Sequence, residues 1–275
     1  MRNIVKKIYY VFLDFMLFIR RKKGVLMHKL LPNKKYINSY TLAILCIKKT
    51  DYADMAIVNA NSLLSLNPTH SFVFYCDTIC AKYLEKNKNK FDYPNKIIIL
   101  DKYGNPTKAW QYYKIEVHIE ASRNDQVDTD ADGIWYDDLV LNRSKITMLA
   151  KAHNFSERPN EVDTLKNLFP NNLNWITFRH CVAAFVSMPS QFMNQKVADD
   201  MRRINDTIFS SPMNFLAQEK DRGDAKRLSE EFAVNLAIQS NYPQEDLIVL
   251  KNKEEWGNKN ILQSLYYGCD NRINE

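Results

Sequence analysis

The chain has 275 residues, 45% of them hydrophobic and 25% charged, enough to bury a sizeable core in one large domain or two small ones. Its six glycines lie too far apart for a Gly-x-Gly-x-x-Gly dinucleotide loop or a Walker phosphate loop, and neither His-Glu-x-x-His nor Gly-x-Ser-x-Gly occurs. Net charge is +6, but residues 1–35 hold ten basic residues against one acid, leaving 28 basic and 31 acidic in the rest; nucleic acid is not an expected partner, because a binding groove needs positive charge on the folded body.

The basic segment contains Ile8–Ile19 (IYYVFLDFMLFI), bracketed by Lys6-Lys7 and by Arg20-Arg21-Lys22-Lys23. As a helix these residues span about 18 Å, short of the roughly 30 Å hydrocarbon core, and Asp14 interrupts them, so a membrane span is not expected. A signal peptide would continue into small residues at a cleavage site, where this chain has its basic cluster. Residues 1–36 are read as a basic apolar helix and tail lying on an anionic membrane surface. The competing reading is a helix packed on the body or on a second subunit.

From Tyr40 the pattern alternates strand and helix. Thr41–Ile47 (TLAILCI) reads as a buried strand, Asp51–Leu66 as a helix ended by Asn67-Pro68, and Ser71–Cys76 (SFVFYC) as a second strand followed by Asp77. Thr78–Lys86 is predicted helical, Lys96–Leu100 a third strand, Trp110–Ser122 a helix and Gln126–Asp130 a fourth strand. This order predicts a parallel sheet with crossover helices, which binds ligands beyond the carboxyl ends of its strands. Further on, Lys151–Asn174 reads as loop with a short helix, Trp175–Met188 as a strand, Gln191–Ile208 as a helix and Pro212–Arg227 as a loop. Ser229–Gln239 reads as a helix capped by Ser229, and Leu247–Leu250 as a late strand. The five cysteines, 46, 76, 80, 181 and 269, show no zinc spacing and are expected to be buried, reduced thiols. His28, His70, His118 and His153 stand alone in sequence and are expected to be structural or superficial.

The acidic run Asp128-Thr129-Asp130-Ala131-Asp132 closes the fourth strand. Strand alternation would put its three aspartates on one face. Clustered carboxylates repel, and a divalent cation removes the conflict. Magnesium and manganese favour oxygen ligands, often one or two carboxylates completed by substrate phosphates.

Residues 41–66 (TLAILCIKKTDYADMAIVNANSLLSL) and 114–139 (KIEVHIEASRNDQVDTDADGIWYDDL) resemble the family-8 glycosyltransferases, the glycogenin-like and galactosyltransferase-like group of the GT-A fold. Lys114 stands sixteen residues before Asp130, followed by D-A-D-x-x-x-x-x-D-L; Phe178–Ser190 resembles the family's strand ending in a Pro-Ser turn, and SEEFAVN (229–235) its acidic segment near the reaction centre. The resemblance covers about residues 40–250. It differs at Arg179-His180-Cys181, where the family has Asn-Ala/Ser-Gly. It differs again at Glu230-Glu231, where the family has Asp-Gln, and it lacks the C-terminal His-x-x-Gly-x-x-Lys-Pro-Trp.

The resemblance implies a single GT-A-like (Rossmann-like) α/β domain over residues 37–275, with a mainly parallel central sheet, acting as a hexosyltransferase. The donor would be a UDP-sugar and the acceptor a glycan or lipid-linked molecule; apart from the resemblance, the basic apolar tail and the reduced cysteines lead to the expectation of a cytoplasmic protein, peripheral on the inner membrane face. Tyr52 would stack on the nucleotide base, Thr50 and Asp51 would line its pocket, and Asp77 would lie in the same pocket at the tip of the second strand. Lys114 would reach a donor phosphate or sugar, Asp130 and Asp132 would hold Mn²⁺ or Mg²⁺, and one of Glu230 and Glu231, together with His180, would face the transferred sugar. Two alternatives stay open: a sugar nucleotidyltransferase, against which the glycine-free KKTDYAD loop counts, and an inactive homologue serving as a binding subunit.

Overall fold

The computed structural model describes residues 11–12, 15–19, 21–23, 26, 38–90, 93, 95–100, 106–135, 138–150, 159–169, 181–210, 229–250 and 262–264. The strands are β1 (Thr41–Cys46), β2 (Ser71–Cys76), β3 (Asn95–Ile99), β4 (Val127–Thr129), β5 (Gly133–Trp135), β6 (Ile146–Ala150), β7 (Cys181–Ser187), β8 (Leu247–Leu250) and β9 (Leu262–Ser264). Between them lie the helices α1 (Thr50–Leu64), α2 (Thr78–Lys86), α3 (Pro106–Arg123), α4 (Pro159–Leu168), α5 (Gln195–Ser210) and α6 (Ser229–Asn241). The protein is mixed α/β, with a seven-stranded sheet of order β3-β2-β1-β4-β7-β6-β8 and a separate pair β5-β9. The expected mainly parallel sheet is thus present: β1 pairs parallel with β2, β2 with β3, and β6 with β8, while β6 and β7 run antiparallel. The chain divides into two compact units, residues 1–107, 129–141 and 256–275, and residues 108–128 and 142–255.

In the first unit, β1 and β2 are apolar almost throughout because both faces are covered, as a central parallel strand requires. β3, at the sheet edge, is more exposed and carries Lys96. Helix α1 buries eleven of its residues, among them the polar Asn59, Asn61 and Ser62. Two of these fasten the segment after β4. The Asn59 side-chain amide donates to the Asp130 carbonyl at 2.8 Å and accepts from the Trp135 indole N–H at 2.8 Å, and the Trp135 backbone N–H donates to the Ser62 hydroxyl at 3.0 Å. His70 is fully buried: its Nδ1 accepts from the Tyr40 N–H at 3.0 Å, so its Nε2 carries the proton and donates to Asp138 Oδ1 at 3.0 Å. Asn67 donates to the other Asp138 oxygen at 3.0 Å.

The described residues of the N-terminal helix attach to this unit through Leu17 and Arg21, both buried. The Arg21 guanidinium lies 5.1 Å from the Tyr93 ring centroid and 5.3 Å from that of Phe18. Within the basic cluster Arg21 turns inward, where aromatic faces shelter a guanidinium better than they would an ammonium.

In the second unit, Val197, Ala198, Met201, Ile204 and Ile208 form the inward stripe of α5, at helical spacing. They join Ile115, Ile119, Met148 and the almost wholly buried α6 in one core. Arg202 on α5 makes a two-pronged ion pair with Glu116 on α3, at 2.6 and 2.8 Å.

Several expectations are corrected. The predicted helix over Gln191–Ile208 begins at Gln195, after a 3-10 turn at Ser190–Phe192. Ser229 is the first described residue of α6, and its buried hydroxyl donates to Asn205 at 2.8 Å. Strand β6 (ITMLA) had not been anticipated, and neither had the short antiparallel pair β5-β9. The predicted loop Pro212–Arg227 and most of residues 1–36 lie outside the described residues.

Candidate active site

In the first unit the connection from β1 to α1 is held by Asp77. Its Oδ1 accepts from the Cys80 N–H at 2.8 Å, capping α2, and its Oδ2 accepts from the Lys48 N–H at 2.7 Å. Lys48 has φ 76°, a left-handed conformation disfavoured for a residue with a Cβ. The Asp77 contact helps to hold it there. Asp77 is buried, so its carboxylate shapes the loop from within, while Thr50, Asp51 and Tyr52 form the first turn of α1 that follows. Asp51 is exposed, Thr50 half-buried, and the large Tyr52 side chain 38% exposed.

Strand β4 ends at Thr129, and Asp130, Ala131 and Asp132 turn the chain into β5. Both aspartates are half-buried. Asn59 braces this turn, donating to the Asp130 carbonyl and accepting from the indole of Trp135 at the end of β5. Two carboxylates on a short, braced turn fit the oxygen-donor set of Mg²⁺ or Mn²⁺ completed by phosphate and water. Among the described residues no three His, Cys, Asp or Glu side chains gather to hold a metal by themselves. Asn59 is a supporting residue that the sequence does not single out, whereas buried His70 is structural, as expected, and pairs with Asp138 of the D-A-D-x-x-x-x-x-D-L run. For Asn59 and its neighbours the visible signal is a polar run, NANS, inside an otherwise apolar helix.

The expectation that Asp128, Asp130 and Asp132 share one strand face fails, because the pleat stops at Thr129. Asp128 belongs to the second unit and is buried against α3. There Lys114 and His118, one helical turn apart, both turn to it. The Lys114 ammonium lies 3.2 Å from Asp128 Oδ2 and 3.4 Å from Oδ1, and His118 Nδ1 contacts the same Oδ2. All three side chains are no more than 4% exposed. Burial pushes the Asp128 carboxyl up, but His118 and Lys114 outweigh it and hold the group below its ordinary value. Lys114 is therefore part of a buried ion cluster in the structure described.

Glu230 and Glu231 are both buried in the first turn of α6, where the helix dipole favours negative charge. Asn235, one turn on, grips the start of β7: its side chain accepts from the Cys181 N–H at 2.8 Å and donates to the Cys181 carbonyl at 2.7 Å and to the Glu231 carbonyl at 2.7 Å. On α3, burial and then Asp206 of α5 push the Tyr112 hydroxyl up to about 12. His180 lies outside the described residues. Cys46, Cys76, Cys80 and Cys181 are buried free thiols, as expected.

No family model matches the chain, and no curated protein sequence matches it. Among solved structures it is similar to mouse xyloside xylosyltransferase 1 in its apo form, at 10% identity and a TM-score of 0.47, over 78% of this chain and 85% of that one. It is also similar to the PaToxG glycosyltransferase, at 11% identity and a TM-score of 0.43, over 84% and 82% of the two chains.

Proposed function

We propose that the protein is a metal-dependent glycosyltransferase of GT-A type that moves a hexose from a UDP-sugar to a glycan or lipid-linked acceptor. The observation that carries this reading is the Asp130-Ala131-Asp132 turn at the carboxyl end of β4, braced by Asn59. In an open α/β sheet that end is where ligands bind. Asp130 and Asp132 would hold Mn²⁺ or Mg²⁺, and the bound cation would neutralise charge on the departing diphosphate.

Each remaining role follows from side-chain chemistry and from the family resemblance. Tyr52, partly exposed, would stack on the base, with Thr50 and Asp51 beside it in the same turn and Asp77 holding Lys48 just before that turn. Lys114 is assigned to the donor, with Asp128 orienting its ammonium. One of Glu230 and Glu231 stabilises positive charge at the anomeric carbon, and His180 lies on the sugar side. In the transfer the anomeric C–O bond to the diphosphate breaks with its electron pair leaving on UDP. The acceptor hydroxyl oxygen forms the new glycosidic bond and loses its proton. Residues 1–36 would bring the protein to an anionic membrane surface, near a lipid-linked acceptor.

A second reading, a sugar-binding subunit without turnover, is favoured by one observation: the ion pair that already engages Lys114. The two separate in one experiment. Full-length protein is incubated with a panel of UDP-sugars and Mn²⁺, and UDP release is measured with and without acceptor extracts. Metal-dependent release that falls at least a hundredfold in both Asp130→Ala and Asp132→Ala supports the transferase. Tight UDP binding with no release from any donor supports the binding subunit.

A further inference from the structure

The N-terminal helix presents two unlike faces. At about 100° per residue, Val11, Phe12, Phe15, Met16, Ile19 and Leu26 fall within an arc of about 140°. All six are between 47% and 70% exposed. Leu17 and Arg21 lie on the opposite side and are buried, with Arg21 against Tyr93. The helix is thus attached to the first unit by its narrower face, and its broad apolar face points away. A group of large apolar side chains left in water along one side of a helix is the mark of a binding surface.

Charge selects the occupant. Lys22 and Lys23, both exposed, stand on either side of the midline that Phe15, Ile19 and Leu26 define, and the Lys22 ammonium lies 5.2 Å from the Phe18 ring centroid. The surrounding segment has ten basic residues and one acid. A second copy placed on this face would bring two such excesses of positive charge together, which opposes dimer formation. An anionic lipid surface complements both the apolar stripe and its lysines. As a helix Ile8–Ile19 would span only about 18 Å, and basic residues flank it on both sides, so it would lie in the plane of the interface.

We infer that the N-terminal helix docks on an anionic bilayer through the face carrying Phe12, Phe15, Ile19 and Leu26, with Leu17 and Arg21 turned the other way as its attachment to the first unit. This rests on the reading that the protein works at a membrane surface and names the face that does so. The Arg21–Tyr93 contact makes the docking oriented, because the helix cannot roll its apolar stripe without losing that contact.

The test is flotation of the full-length protein with vesicles of phosphatidylcholine alone or mixed with phosphatidylglycerol, at low and high salt. Binding to the mixed vesicles is expected. It should fall more than tenfold in the triple variant Phe12→Ser, Phe15→Ser, Ile19→Ser, with the thermal midpoint unchanged because the three sites are exposed; should the midpoint drop, the single variant Phe12→Ser gives the same reading at smaller amplitude. The double variant Lys22→Gln, Lys23→Gln should bind severalfold less and with a shallower salt dependence. If the full-length protein binds no vesicles, the membrane reading itself fails. If it binds and the triple variant binds within twofold of it, the membrane reading stands and the assignment of the face is overturned. A lipid-free dimer in sedimentation velocity that the triple variant abolishes would assign the face to a second copy instead.

Discussion

Asp128 and Asp130 stand two residues apart in one acidic run, and the fold gives them opposite tasks. Asp128 neutralises Lys114 inside the second unit, so Asp128→Asn should leave a buried cation without its counter-charge and cost about 3–5 kcal/mol in denaturant unfolding. The same carboxyl titrates below its ordinary value when folded. Its stabilising contribution is therefore complete above about pH 4 and is lost as pH falls through the lower folded value. Wild-type stability should decline in that acid range, and Asp128→Asn should flatten this part of the profile. Asn59 works by position: Asn59→Ala removes the bonds to the Asp130 carbonyl and the Trp135 indole. A loss of roughly 1–3 kcal/mol is expected for these buried partners. On the proposed function, Mn²⁺-dependent UDP binding measured by calorimetry should weaken about tenfold while metal-free UDP binding changes little.

Helix α6 shows how one element can serve both packing and chemistry. Its first turn carries two buried glutamates, and Asn235, a turn later, fastens the start of β7. Replacing Asn235 by Ala leaves the Cys181 N–H and carbonyl buried without that partner, and stability should fall by roughly 2–4 kcal/mol. Glu230 and Glu231 project about 100° apart around the helix, so only one can face a donor sugar. Glu230→Gln and Glu231→Gln should differ in UDP-sugar turnover by at least tenfold, and equal, full activity in both would remove the helix from the reaction. The apolar period of α1 predicted a helix, but not that its polar Asn59 and Ser62 would be buried and paired with the chain after β4. Periodicity reports which face is apolar; the partner of a buried amide is set by a segment some seventy residues away.

Across the molecule the described thiols report on integrity. Cys46, Cys76, Cys80 and Cys181 are all buried. Burial raises the Cys46 thiol, and burial and then the Asp77 charge raise Cys80 well above its ordinary value. Thiol-reactive dye at neutral pH should leave these four untouched in native protein and label them as the protein unfolds, as peptide mapping would show. The sequence by itself determined the α/β class, the order of the first three strands with their helices, the reduced character of these cysteines and the uneven placement of charge. Each of these follows from local composition or from short-range apolar periodicity. Only the tertiary structure decided that β4 stops at Thr129, that Asp128 turns to Lys114 and His118, that Asp77 holds Lys48, and that Arg21 is buried against Tyr93. These are meetings of residues distant in sequence, or the exact end of a pleat, and both depend on packing and on the pairing of buried charges rather than on any local pattern.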